Sequence, residues 1–142
     1  MTNNNKKSAQ KAIKTAKWAK IMTKCWITLY TESKRKWELV SFEGPKGCES
    51  TGIVDMIAIR KDFKTTPKKP LKKGDPFEII LIQVKGGKSP NPSEEDISRL
   101  KKVGEDYKAK IILVKWKKMS EPTFYLLKNS KWEKTNLQNI FN

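Results

Sequence analysis

The amino-acid sequence predicts an α/β fold with a central mixed β-sheet of about five strands flanked by helices, in the order αβββαββ. Two stretches, "IVDMIAIR" (53–60) and "FEIILIQVK" (77–85), are apolar on both faces, which is typical of central strands. A long helical pattern precedes them, and a second helix is followed by two more apolar strands. At 142 residues, the chain has the usual size of one domain.

The predicted elements divide this single domain (1–142) into three parts. Residues 1–34 hold the first helix, in which small and apolar residues recur at spacings of three and four. Residues 37–116 form the core, which opens with the alternating strand "WELVSFE" (37–43). Residues 117–142 hold the strand "TFYLLK" (123–128) and a short tail.

The second helix, over residues 94–108, has clear start signals. Ser93 is the predicted N-cap, and acidic residues follow it in the first turn, where they interact favourably with the helix dipole. The predicted buried stripe consists of Ile97, Leu100, Val103 and Tyr107. The strand "KIILVKW" (110–116) follows.

The charge of the chain calls for a polyanionic partner. Lys and Arg number 31 against 15 Asp and Glu, a formal net charge of +16. Nucleic acid is favoured over a membrane surface. The alternative is a lysine-rich surface that serves no particular partner.

Several classes of chemistry and location are excluded or disfavoured. The absence of histidine excludes Ser-His-Asp and Cys-His catalysis and His-ligated zinc. Cys25 and Cys48 lack the CxxC spacing of a zinc or redox motif, so a reducing, cytoplasmic setting is expected. No apolar run approaches the roughly 18 residues that span a bilayer, so no membrane association is expected.

A lysine face on the first helix is a candidate DNA contact. It carries Lys7, Lys11, Lys14, Lys17, Lys20 and Lys24, with Trp18 among them. Lysines release counterions from a phosphate backbone, and an exposed ring offers a stacking surface. The alternative is a solvated face with Trp18 covered by a neighbouring element, and for Trp18 alone this is favoured. The six lysines of the loop 61–76 are a minor candidate, since such loops are more often solvated tethers.

The "GGKS" stretch at 86–89 does not fit a phosphate-binding loop. That motif needs a glycine at position 82, which is Ile82, and a helix directly after Ser89, where "PNP" forces an extended turn. Lys88 is therefore a turn residue and, at most, a further DNA contact.

Three polar residues at the ends of the central strands form a candidate site. Gln83 and Lys85 lie on one face because strand side chains alternate, and Asp55 stands in the neighbouring apolar strand. Asp55 and the Gln83 amide offer oxygen ligands for Mg²⁺, with Lys85 as a nearby cation. An ordinary ion pair between Asp55 and Lys85 fits these residues equally well.

The pattern resembles the PD-(D/E)XK nuclease superfamily, in particular small members similar to Holliday-junction resolvases. "GIVDMIAIR" is similar to the strand that carries the family's aspartate, and "IQVKGG" to the strand that carries its (D/E)xK motif. The resemblance covers roughly residues 37–116 and implies a restriction-endonuclease-like fold. It also implies an endonuclease that hydrolyses DNA, branched DNA included, with Mg²⁺ or Mn²⁺, and many such members are homodimers.

The resemblance implies that Asp55 is the main metal ligand, that Gln83 occupies the second acidic position and that the Val84 backbone carbonyl is a further ligand. It also implies that Lys85 orients or helps to deprotonate the attacking water and stabilises negative charge on the phosphate. Two features depart from the family. Gln83 replaces a carboxylate, and the first helix lacks the glutamate that the family often supplies. Glu49 is a candidate substitute and Glu43 a less favoured one; the alternative, favoured for both, is an exposed carboxylate in a loop or at a strand end. A catalytically silent DNA-binding module is therefore an alternative, and a basic structural protein is a third.

Overall fold

The computed structural model describes residues 3–43, 52–87 and 90–142, with the side chains of the first helix from Thr15 onward. The helices and strands are α1 Asn3–Tyr30, β1 Glu38–Ser41, β2 Met56–Lys61, β3 Phe77–Gly86, α2 Glu94–Tyr107, β4 Lys110–Trp116, β5 Thr123–Lys128, β6 Lys131–Thr135 and α3 Leu137–Phe141. No helix within these residues is both long and apolar enough to cross a membrane.

The described strands form one mixed sheet in the order β1-β2-β3-β4-β5-β6. The β3–β4 pair is parallel and the other pairs are antiparallel, because α2 carries the chain back to start β4 beside β3. The predicted α/β class with a mixed sheet is confirmed. The seven predicted elements occur in the predicted order.

The predicted count of about five strands was one short, since the C-terminal tail forms β6 and α3. Asn129 and Ser130 both have positive φ, 48° and 62°, which suits the tight turn of a two-residue hairpin. This turn returns the chain so that Trp132 pairs with Leu127. Phe141 of α3 is then fully buried in the main core.

Each face of the sheet is covered by one long helix. On one face, Ala19 and Ile27 of α1 pack with Met56 and Ile80. On the other face, Leu100 of α2 packs with Leu81 and Ile111. The alternation of β3 therefore decides which helix each of its side chains meets.

The buried face of α1 follows Ala19, Thr23 and Ile27, a spacing of four residues. Gly86 permits the close approach, because a Cβ there would lie 3.1 Å from the Ala19 Cβ. Since α1 meets the last residue of β3 at Ala19 and runs inward from there, residues 3–14 continue outward past this end of the sheet. At about 1.5 Å per residue, that segment is about 18 Å long.

The predicted buried stripe of α2 is wrong at its last member. Leu100 is buried and Val103 packs beside it, but Tyr107 is 65% exposed. Gly104 takes the position closest to the sheet, since a Cβ there would lie 2.9 Å from the Ile111 Cδ1. The helix then ends at Tyr107, which projects beyond this contact.

Candidate active site at the ends of β2 and β3

The sequence predicted that Asp55 lies inside a strand over 53–60. In the structure it lies directly before β2, which starts at Met56. Its N–H donates to the Ile82 carbonyl at 3.0 Å, although the ladder pairs Ile82 with Met56. Its carboxylate Oδ2 accepts the Val84 N–H at 2.8 Å. The side chain thus takes the place of a backbone acceptor at the end of the β2–β3 ladder, which is why the regular strand starts one residue later.

Gln83 is the next residue of β3 beyond the pair formed by Ile82 and Met56, so the register carries it to the level of Asp55. It is 6% exposed. Its Oε1 is buried and accepts no hydrogen bond from any described residue. An unsatisfied buried acceptor costs about 1–3 kcal/mol, so the Gln83 oxygen destabilises the fold unless something binds it.

Lys85 lies two residues further on and on the same face of β3, half-buried. Three ion pairs join described residues, and none of them includes Lys85. The alternative in which Lys85 serves as the ion-pair partner of Asp55 therefore has no support. The ammonium group stands at the carboxyl end of β3 with no described acidic partner.

The Val84 carbonyl faces the same side as Asp55. In an antiparallel ladder the N–H and C=O of one residue point the same way, and the Val84 N–H points to the Asp55 carboxylate. Asp55, Gln83 and Val84 therefore offer a carboxylate, an amide and a carbonyl oxygen at one end of the β2–β3 pair. Such hard oxygen donors suit Mg²⁺ or Mn²⁺, and the orphaned Gln83 Oε1 is one of them.

Residues 3–43, 52–87 and 90–142 contribute no further acidic ligand to this donor set. Glu49 lies outside the described residues, as does Lys88. Glu43 is exposed, one residue past Phe42, whose N–H donates to the Asp55 carbonyl at 2.9 Å. Within the described part of the chain, no cluster of three or more His, Cys, Asp or Glu side chains is suited to a metal ion.

The lysine face of α1 lies at this same end of the sheet. Lys17 and Lys24 are exposed, and the Lys20 Nζ donates to the Phe42 carbonyl at 2.9 Å. Lys7, Lys11 and Lys14 lie on the outward segment of α1, where the helix but not the side chains is described. Trp18 stacks edge-on against Trp116, with ring centroids 5.5 Å apart, yet remains 44% exposed. Trp116 therefore covers only part of Trp18, and the favoured interpretation, in which a neighbouring element covers this ring, holds only in part.

The lysine-rich loop over 61–76 lies at the opposite end of the sheet. It joins the last residue of β2 to the first of β3, whereas Asp55 precedes β2 and Lys85 stands near the end of β3. At about 3.3 Å per residue, β2 alone separates the loop from Asp55 by about 20 Å. The loop is therefore too far away to contact a phosphate bound at the candidate site.

Lys115 was missed by the sequence reasoning. It is the Cα partner of Lys85 in the parallel β3–β4 ladder, half-buried, and on the same face of the sheet. Its own partner on β5 is Thr123. "KIILVKW" places a lysine next to the end of a strand, as "IQVKG" does, but only the pairing of β3 with β4 brings the two together.

Comparison of the chain with protein-family models, curated proteins and solved structures found no match.

Proposed function

We propose that the chain is a metal-dependent DNA endonuclease of the PD-(D/E)XK type with a restriction-endonuclease-like fold, acting in the cytoplasm. The observation that carries the proposal is the buried Oε1 of Gln83. This oxygen has no partner in the described part of the chain, and the register sets it level with Asp55. A bound cation would satisfy it.

In this proposal Asp55, Gln83 and the Val84 carbonyl would hold Mg²⁺ or Mn²⁺, and the bound ion would supply Lewis acidity toward the phosphate and an attacking water molecule. Lys85 lies two residues after Gln83 on β3, so its side chain projects from the same face of the strand. Its ammonium group binds a non-bridging phosphate oxygen and stabilises the negative charge that develops as water attacks phosphorus. The half-buried position strengthens this attraction relative to bulk water.

The lysine face of α1 and Lys88 hold the phosphate backbone of the DNA in this proposal. The exposed Lys17 and the outward segment of α1 stand at the end of the sheet where Ala19 meets Gly86, and the exposed Lys24 lies further inward along the helix. The net charge of +16 adds a long-range attraction for any nucleic acid.

A second candidate function is DNA binding without cleavage. It is favoured by the donor set of the described residues, in which Asp55 is the one charged ligand, and one of the Asp55 oxygens already accepts the Val84 N–H. An amide at position 83 lowers the negative charge available to a divalent cation. Both candidate functions share the lysine face and differ only in chemistry.

Cleavage assays with Asp55→Asn and Lys85→Ala separate the two candidates. Linear, nicked, flapped and four-way DNA are incubated with each protein in Mg²⁺ and in Mn²⁺. We expect wild-type protein to cut at least one substrate and both variants to lose about a hundredfold in rate. Lys110→Ala, an exposed lysine at the opposite end of β4, is the control and retains the wild-type rate. Cleavage that survives in Asp55→Asn, or no cleavage by wild-type protein, would refute the enzyme proposal.

A further inference from the structure

Lys85 and Lys115 are a pair of like charges that the fold forces together. Their Cα atoms are partners in the parallel β3–β4 ladder, and neighbouring strands lie about 4.8 Å apart. Both side chains emerge on the α2 face, as the buried Leu81 and Ile111 on the same alternation show. Neither lysine takes part in an ion pair between described residues.

The two ammonium groups repel each other wherever their side chains run parallel. Both residues are half-buried, and their side chains leave neighbouring strands on the same face, so the stems start close together. Two other described lysines do have an acidic partner: Lys102 pairs with Asp106 at 2.7 Å and Lys128 with Glu133 at 3.6 Å. An anion placed between Lys85 and Lys115 would replace the repulsion by two attractions.

Thr123 extends this arrangement across a third strand. It is the Cα partner of Lys115 on β5, half-buried, and on the same face. Its hydroxyl can donate to a phosphate oxygen. A lateral row of two ammonium groups and one hydroxyl therefore crosses three neighbouring strands. It consists of Lys85, Lys115 and Thr123 and is about 10 Å long.

The row starts beside the Gln83 oxygen and leads away from Asp55. Gln83 lies two residues before Lys85 on β3, and the row then crosses β4 and β5. If one phosphate of a DNA strand binds Lys85, the next phosphate of that strand would therefore lie within reach of Lys115 and Thr123.

We propose that Lys115 and Thr123 hold the phosphate of the DNA backbone adjacent to the one at Lys85, and so position the strand for cleavage. This inference rests on the proposed DNA-cleaving function and deepens it, because it defines the direction in which the bound strand runs. Both are positioning residues, since neither lies against Asp55 or Gln83. The chemistry that recognises the partner is that of successive phosphodiester anions.

Salt-dependent binding tests the row. Affinity for labelled duplex and four-way DNA is measured by fluorescence anisotropy across a salt series, in the Asp55→Asn background so that the DNA stays intact. Lys115→Gln is expected to weaken binding about tenfold and to reduce the slope of log affinity against log salt by about 0.9, the loss of one phosphate contact. Lys115→Arg restores the slope, and Lys110→Gln leaves it unchanged. Thr123→Val is expected to weaken binding without changing the slope, whereas Thr123→Ser is expected to keep the affinity of the parent protein.

Kinetics with intact Asp55 give the second readout. Lys115→Gln is expected to raise KM while kcat stays within about twofold, because the lost contact holds substrate and transition state alike. If wild-type protein cuts DNA but Lys115→Gln has the wild-type slope and KM, the row is refuted while the nuclease proposal stands. If wild-type protein binds DNA with the predicted loss at Lys115 but cuts nothing, the row stands and the nuclease proposal fails. If wild-type protein neither binds nor cuts DNA, both are refuted.

Discussion

The Oδ2 atom of Asp55 accepts the backbone N–H of Val84 at 2.8 Å, so a side chain closes the end of the β2–β3 ladder. This contact predicts that Asp55 has a structural role that can be separated from any catalytic one. Asp55→Asn keeps a carbonyl acceptor, whereas Asp55→Ala leaves the Val84 N–H without one. We expect Ala to lower the free energy of unfolding by about 1–3 kcal/mol and Asn by less than about 1 kcal/mol, measured by urea denaturation. Equal losses would show that the acceptor contributes nothing to stability.

The orphaned oxygen of Gln83 predicts a conflict between stability and function. Gln83→Met keeps an unbranched side chain but removes the unsatisfied acceptor, so we expect the free energy of unfolding to rise by about 1 kcal/mol or more in metal-free buffer. The same variant should lose the increase in Tm that Mg²⁺ or Mn²⁺ gives wild-type protein. A stability equal to or below wild type would indicate that the oxygen finds a partner in solution.

Gln83→Glu predicts the opposite response to metal. A buried carboxylate beside Asp55 adds repulsion in the absence of a cation and adds a charged ligand in its presence. We expect a lower Tm than wild type in chelator and a larger rise in Tm on adding Mg²⁺, followed by differential scanning fluorimetry. A rise equal to that of wild type would argue against a metal at this position.

Replacement of Arg60, which lies far from the candidate site, should cause a large loss of stability. Arg60 is 6% exposed, bonds Glu78 at 2.7 Å, and donates to the carbonyls of Phe141 and Asn142, so it ties α3 to β2. Arg60→Met leaves Glu78 without its cation and should lower the free energy of unfolding by about 3–5 kcal/mol. Arg99→Met, at an exposed arginine of α2, is the matched control and should change it by less than about 0.5 kcal/mol. A small loss at position 60 would mean that α3 is held by its apolar contacts alone.

The exposed lysines of α1 predict a graded loss of DNA affinity. Lys17→Gln and Lys24→Gln should each reduce the slope of log affinity against log salt by about 0.9 if each contacts one phosphate. Lys128→Gln and Lys131→Gln, at the β5–β6 turn on the opposite end of the sheet, serve as controls of equal charge. Equal effects at the two ends would indicate nonspecific attraction by net charge rather than a defined face.

The loop after β2 predicts a pH dependence that is independent of function. The N–H groups of Thr65 and Lys64 donate to the Asp62 carboxylate, at 3.0 and 2.9 Å, and these bonds hold its pKa below the usual range. A depressed pKa in the folded state stabilises the fold above the unfolded-state pKa of about 4, and this contribution is lost as the pH falls through the folded value. The difference in unfolding free energy between wild type and Asp62→Asn should therefore shrink below about pH 4. An NMR titration of the Asp62 carboxylate that gives an ordinary pKa would contradict this.

Much of this fold could be predicted because local patterns report burial. The apolar character of β2 and β3 on both faces indicated central strands, and Ser93 with the acidic first turn located the start of α2, where a capping box forms with Asp96. The period of two along β3 also set Gln83 and Lys85 on one face. These features depend on neighbours in sequence, which the sequence contains in full.

The remaining features depend on which strands become neighbours. The pairing of β3 with β4 brings Lys115 beside Lys85, and the break in register at Asp55 lets its carboxylate reach the Val84 amide. The orphaned state of the Gln83 oxygen likewise follows from what packs around it. The sequence by itself determined the α/β class, the basic character and the candidate residues, because composition and periodicity are local. Only the tertiary structure decided which of those charges and oxygens meet, because long-range strand pairing sets distances that no local pattern encodes.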